Sequence, residues 1–203
     1  MQRYDRRTAL LVVDLQNDFA DPAGGLAVHG GANLVPIING EIATARAAEA
    51  LIVFTQDWHP PTTPHFARDG GTWPIHCVGG TWGAELHSGV DPEAAASAPR
   101  IRKGANGEDG YSGFTMRDPT TGETTSTELE RLLRDADIER VVVCGLATDY
   151  CVKATALDAA RLGFETAVLL DAMRPVELNP GDEQGAIAEM TAAGVHSWSS
   201  RMR

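Results

Sequence analysis

The sequence predicts an α/β protein, a three-layer α/β/α arrangement around a mainly parallel six-stranded sheet. Three observations predict it. Short apolar runs alternate with longer segments of helical period, as a parallel sheet covered on both faces requires. The run Val141–Val142–Val143 is apolar without alternation, which suits a strand buried on both faces. Chemistry-bearing residues also follow the apolar runs, where open parallel sheets place their ligands.

In chain order, the expected strands are Ala9–Val13, Leu51–Thr55, Arg100–Arg102, Arg140–Cys144, Glu165–Leu170 and Val195–Trp198. The expected helices cover Asn33–Ala50, Thr127–Ala136, Asp149–Leu162 and Asp182–Ala193. Leu34, Ile37, Ile38 and Ile42 recur at helical spacing. Thr125 and Glu128 have capping-box spacing, ahead of the stripe Leu129, Leu132 and Leu133. Gly163 and Gly194 stand where helices stop. Two stretches are irregular: Gln56 to Ala98, rich in Pro, Gly, His and Trp, and Gly104 to Gly122, rich in Gly, Thr and Asp. Long irregular loops in a compact domain are usually functional or disordered, and the first holds too many aromatics and histidines for a plain linker. A chain of 203 residues suits one domain, here residues 1–203.

Composition narrows the function. Apolar residues make up 43% and charged residues 22%, with a formal net charge of −11 and no Lys/Arg cluster. Such a chain repels phosphate backbones and anionic lipid, so neither nucleic acid nor membrane is an expected partner. The apolar run Ala9–Val13 is too short for a signal-peptide core or a membrane span, and a cytoplasmic protein is expected. Cys77, Cys144 and Cys151 form no even disulfide framework, so free thiols are expected. No G-x-G-x-x-G follows the first strand, which argues against a dinucleotide site.

The strand ends converge on one chemistry. The first delivers Asp14, the second Asp57 and His59, the third Lys103, and the fourth leads into Thr148, Asp149, Tyr150 and Cys151. Cys151 falls in the first turn of a predicted helix, with Thr148 as its expected N-cap, where the helix end favours a thiolate. Asp14 can take the thiol proton, Lys103 can stabilise the charge, and N–H groups near Ala147 and Cys151 can form an oxyanion hole. Cys144 lies within a strand and reads as core. Asp57, His59, His65 and His76 offer a carboxylate and imidazoles, a donor set that takes one divalent transition metal ion: zinc, iron or manganese. Cys77 follows His76 and reads as a weaker ligand candidate. His29, His87 and His196 read as surface or packing residues.

These residues resemble the nicotinamidase/pyrazinamidase group of the isochorismatase-like cysteine hydrolases. The resemblance runs from about Ala9 to Trp198. It rests on Asp14-Leu-Gln-Asn-Asp-Phe19, Thr55-Gln-Asp-Trp-His59, Trp73-Pro-Ile-His-Cys-Val78, Lys103-Gly104, Tyr111-Ser-Gly-Phe114 and Gly145-Leu-Ala-Thr-Asp-Tyr-Cys151. It implies a Rossmann-like strand order and an Asp14–Lys103–Cys151 triad. It implies metal ligands Asp57, His59 and His76, with His65 as a fourth, and a cis peptide between Leu146 and Ala147. Phe19, Trp73 and Tyr111 would wall the substrate ring. The polar Gly104–Gly110 loop, with Asn106, Glu108 and Asp109, is expected to border the pocket. The activity implied is hydrolysis of nicotinamide, and of pyrazinamide, by a monomer or homo-oligomer. The alternatives are an amidohydrolase of the same family acting on another small amide, carbamoyl or ureido substrate, and a non-catalytic scaffold of the same fold.

Overall fold

The computed structural model describes residues 3–201. Six strands form one sheet: β1 (Thr8–Val13), β2 (Leu51–Asp57), β3 (Arg100–Lys103), β6 (Arg140–Leu146), β7 (Glu165–Arg174) and β8 (His196–Trp198). Every pairing in it is parallel, and the order is β3-β2-β1-β6-β7-β8. Counted within this sheet alone, that is the Rossmann-like order 3-2-1-4-5-6. The winding direction reverses between β1 and β6, and there the strand ends open a crevice.

The strands alternate their side chains between two cores. Leu10 and Val12 of β1 face α2 (Leu34–Ala47), packing with Leu34, Ile38 and Ile42. Ala9, Leu11 and Val13 face the other layer: α4 (Leu129–Asp135), α5 (Lys153–Arg161) and α6 (Asp182–Ala192). Each β1 residue is buried, which accounts for its unbroken apolar run. No helix among the described residues is long and apolar enough to cross a membrane.

The departures from expectation have local causes. The α2 helix stops at Ala47 rather than Ala50, and Glu49 turns to φ 56° before β2 begins. The capping box at Thr125 and Glu128 does not form. Thr125 is paired with Met116 in the antiparallel hairpin β4 (Thr115–Arg117) and β5 (Thr124–Ser126), and Thr127 Oγ1 instead accepts the Leu129 N–H at 3.1 Å. That hairpin occupies part of a stretch expected to be irregular. Two short helices are additional: α1 (Asn17–Ala20) and α3 (Pro92–Ser97). The signal for α3 was legible, since Asp91 accepts the Ala94 N–H at 2.8 Å and Pro92 fills the first helical position. Gly163 and Gly194 do end their helices, with φ of 86° and 85°.

At the crevice, Gly145 of β6 pairs with Val13 of β1. Gly145 has φ 115°, and a Cβ there would lie 2.1 Å from the Val13 carbonyl oxygen. Glycine is therefore required at the point where β6 hands the chain to the Cys151 turn.

Candidate active site

Each polar strand end feeds one buried cluster. Beyond Val13 the chain leaves the sheet at Asp14, with φ 46°. Its N–H reaches Thr55, and Thr55 Oγ1 donates to Asp14 Oδ1 at 2.5 Å. Lys103, the last residue of β3, points its ammonium into the same space. Its Nζ lies 2.7 Å from Asp14 Oδ2, 2.8 Å from Asp57 Oδ1, 3.3 Å from the Tyr111 carbonyl and 3.5 Å from Cys151 Sγ. Asp14, Asp57, Lys103 and Cys151 are all buried. Two carboxyl groups thus share one ammonium out of water.

Burial and charge compete in each group. Burial raises the Asp14 carboxyl; Lys103 opposes this and Asp57 adds to it, and the net shift is upward. Burial also works on Asp57, but Lys103, His59 and His76 outweigh it and hold that carboxyl far below the usual range. Lys103 is pushed down by burial, yet Asp14, Asp57 and Cys151 together hold its ammonium charged well above its ordinary value. Burial drives the Cys151 thiol well up, with Lys103 only partly opposing.

That last result corrects the expectation of a resting thiolate at a helix N-terminus. Thr148 is not a cap. The turn Thr148–Val152 is π-helical, no side chain caps it, and Thr148 Oγ1 is buried without a hydrogen-bond partner. The Tyr150 and Val152 N–H groups close instead on the Ala147 carbonyl, at 3.2 and 3.0 Å. The Leu146–Ala147 peptide is cis, as the resemblance implied.

The histidines converge beside Asp57. Ligand atoms of His59, His65 and His76 lie within 4.8 Å of one another. The second Asp57 oxygen, Oδ2, stands 3.8 Å from His59 Nε2 and 3.9 Å from His76 Nε2. Both ring nitrogens of His59 are buried with no hydrogen-bond partner. Orphaned buried nitrogens are costly unless something occupies them. His76 Nδ1 donates to the Pro74 carbonyl at 2.7 Å, which leaves Nε2 as a free lone pair directed at the cluster. His65 is half-buried and stacks on His59 at 4.7 Å; burial, then the neighbouring His59 and His76, hold its pKa down at about 4. Three imidazoles and a carboxylate converging on one space form a donor set that fits a divalent cation. Asp14, Asp57 and Cys151 also lie close together, but the Lys103 ammonium fills the space between them.

A cleft of ≈ 370 Å³ of empty volume, part of it open to solvent, joins the two clusters. Asp57, His65 and His76 stand in its wall, as do Ala147 and Cys151. Phe19, Trp73 and Tyr111 line it as well. Phe19 lies 5.3 Å from the His76 ring, and Trp73 Nε1–H donates to Tyr111 Oη at 3.1 Å.

The Isochorismatase domain profile matches residues 8–201 of this chain. The chain belongs to the isochorismatase family. A nicotinamidase from Escherichia coli K12 is 39% identical over 202 residues, covering 92% of this chain and 92% of its own. The pyrazinamidase of Pyrococcus horikoshii in complex with zinc superposes with a TM-score of 0.83 at 42% identity, over 95% of this chain and 99% of that one. The PnC1 protein of L. infantum in complex with nicotinate gives a TM-score of 0.86 at 37% identity, over 96% and 93% of the two chains.

Within this family member, the expected site residues come together, while others lie elsewhere. Cys144 is core, its Sγ 3.8 Å from the Leu11 carbonyl. Cys77 is buried away from the imidazoles; its N–H donates to Asp18 and its Sγ faces the Gly83 carbonyl at 3.9 Å. His29 and His196 are exposed, and His87 lies 3.9 Å from Asp21. The polar Gly104–Gly110 loop does not border the cleft: Asn106 and Glu108 line a separate groove with Pro60 and Pro64. The cleft wall also holds Leu26, Val28, Leu146, Tyr150 and Val176, none of them among the expected site residues, and Gln16 joins the site through Asp57. Tyr150 packs edge-on against Trp73 at 4.9 Å and Tyr111 at 5.2 Å, and its place beside Cys151 was the available signal. Val176 enters the wall from the β7–α6 loop, where Asp149 accepts its N–H at 2.9 Å. Gln16 reaches the Asp57 backbone.

Proposed function

We propose that this chain is a nicotinamidase, a metal-dependent cysteine amidohydrolase of one domain that converts nicotinamide, and pyrazinamide, to the free acid and ammonia. One observation carries the reading: an aromatic-lined cleft brings a buried thiol, beside a carboxylate–ammonium pair, together with imidazoles that could hold a cation. A flat heteroaromatic carboxamide has the matching ends, a ring nitrogen and an amide carbon. The relatives named for nicotinamide hydrolysis and the neighbour holding nicotinate support the substrate, and the zinc-bound neighbour supports the metal.

Asp57, His59, His65 and His76 would hold the ion. Bound there, it would supply a Lewis acid for a ring nitrogen and for water. The remaining steps fall to the chain's own groups. Phe19, Trp73 and Tyr111 line the space for the ring, and a ring held there beside Cys151 makes attack effectively intramolecular. Asp14, its pKa raised by burial, is a competent base for the Cys151 thiol; the reacting atoms of the two lie within 4.8 Å. As Sγ bonds to the amide carbon, its proton passes to Asp14, and Lys103 offsets the charge that develops. The N–H groups of Ala147 and Cys151 receive the oxyanion. Collapse breaks the C–N bond, and Asp14 returns the proton to the departing ammonia. Water then adds to the thioester with Asp14 again accepting a proton, and the acid and free thiol are released.

Ammonia release from nicotinamide, set against an open-chain amide of similar size, tests the substrate. Preference for nicotinamide by two orders of magnitude or so is expected, since both clusters engage only the ring substrate. Equal or better turnover of the open-chain amide would move the chain to another branch of the family.

A further inference from the structure

The motif after β1 contains a residue that the chemistry above does not use. Gln16 is fully buried, and its side-chain amide forms three hydrogen bonds, two of them to one backbone unit. Gln16 Oε1 accepts the Asp57 N–H at 2.8 Å, and Nε2 donates to the Asp57 carbonyl at 2.7 Å and the Ala84 carbonyl at 2.8 Å.

The topology explains why Asp57 needs this partner. Along β2, alternate residues turn their backbone groups to opposite neighbours. Phe54 and Trp58 donate toward the β3 side, to Pro99 and Lys103. Thr55 and Asp57 therefore face β1. Thr55 is served by the Asp14 N–H, but β1 has already ended at Val13. Asp57 would have an open N–H and C=O at the sheet edge. The Gln16 amide supplies one acceptor and one donor in the place of a missing strand residue.

The Asp57 carboxylate is engaged through both of its oxygens. One carboxylate oxygen pairs with Lys103 at 2.8 Å, while the other faces His59 and His76 at 3.8 and 3.9 Å. A small rotation of its backbone would break one engagement or the other. We propose that Gln16 is a positioning residue for metal binding, clamping the Asp57 backbone so that its carboxylate serves the cation site and Lys103 at once. This rests on the reading of Asp57 as a metal ligand.

Gln56 is the internal control. It is equally buried and its Nε2 also donates to the Ala84 carbonyl, at 2.9 Å, but its side chain does not hold the Asp57 backbone. The test is cobalt(II) titration of metal-free protein, followed by visible d–d absorption, on wild type, Gln16→Met, Gln16→Glu and Gln56→Leu. Gln16→Met should bind cobalt at least about tenfold more weakly, with a shifted band, as loss of an outer-shell partner does. Gln16→Glu keeps the acceptor, loses both donated bonds and should also weaken binding; it decides the matter if Gln16→Met does not fold. Gln56→Leu should keep the wild-type affinity and band. Wild-type affinity and band in the folded Gln16 variants, or an equal loss in Gln56→Leu, would overturn the assignment. Wild type that binds no cobalt would instead overturn the metal reading on which it rests.

Discussion

Lys103 Nζ and Asp57 Oδ1 meet at 2.8 Å, and this contact joins the two halves of the site. The same ammonium holds Asp14 at 2.7 Å and stands 3.5 Å from the Cys151 sulfur. The same Asp57 faces the imidazoles through its other oxygen. The Cys151 thiol and the imidazole cluster are therefore linked through one set of charged contacts, built at the ends of β1, β2, β3 and β6.

Lys103→Met should break that network. It strands Asp14 and Asp57 as buried carboxylates without a counter-charge, a defect worth about 3–5 kcal/mol. Thermal unfolding should show a fall of many degrees in the metal-free protein, and a smaller fall once a cation neutralises Asp57. An unchanged midpoint would mean that the carboxylates are already neutral.

The thiol should behave as a buried acid. Its pKa is raised well above 9.0, chiefly by burial, so the thiolate fraction keeps growing through neutral pH and beyond. Alkylation of Cys151 by a small neutral reagent should climb with pH and reach no plateau below about pH 9. A plateau near pH 7 would show that Lys103 outweighs burial.

Gly104 should be sensitive for a geometric reason. Its φ is 77°, and a Cβ would stand 2.6 Å from His59 Nδ1. Gly104→Ala should displace the His59 ring and weaken metal affinity by roughly tenfold or more, read by competition with a chelator. Retained affinity would place His59 outside the donor set.

Tyr111→Phe removes only the hydroxyl that accepts the Trp73 indole N–H. The aromatic wall keeps its shape, so the effect should be about 0.5–1.5 kcal/mol, expressed in KM rather than kcat. A large loss of kcat with unchanged KM would give the hydroxyl a part in the chemistry.

The sheet and its helices were legible because β1, β2 and β6 carry unbroken apolar runs and α2 a clear helical stripe. Asp14, Lys103 and Cys151 were legible because a parallel sheet sends its strand ends to one edge, so position along the chain became position in space. Short-range geometry was less so. The Thr148 turn is π-helical, and no sequence period announces one extra residue per turn. The Cys151 thiol was expected as a thiolate because a helix end was visible in the sequence while its burial was not. Tyr150 and Val176 join the cleft through packing between distant segments. Gln16 stood in plain view within the Asp14 motif, but its use depends on β1 ending before β2 does.

The proposed mechanism requires a covalent bond between the substrate acyl carbon and Cys151 Sγ. Wild-type protein and Cys151→Ala, both loaded with metal, should be mixed with nicotinamide, quenched within the first turnover and weighed intact. A nicotinoyl adduct is expected on the wild type, mapped to Cys151. Cys151→Ala should show no adduct and no ammonia release, with metal content unchanged. Ammonia release at the wild-type rate by Cys151→Ala would rule out the covalent mechanism.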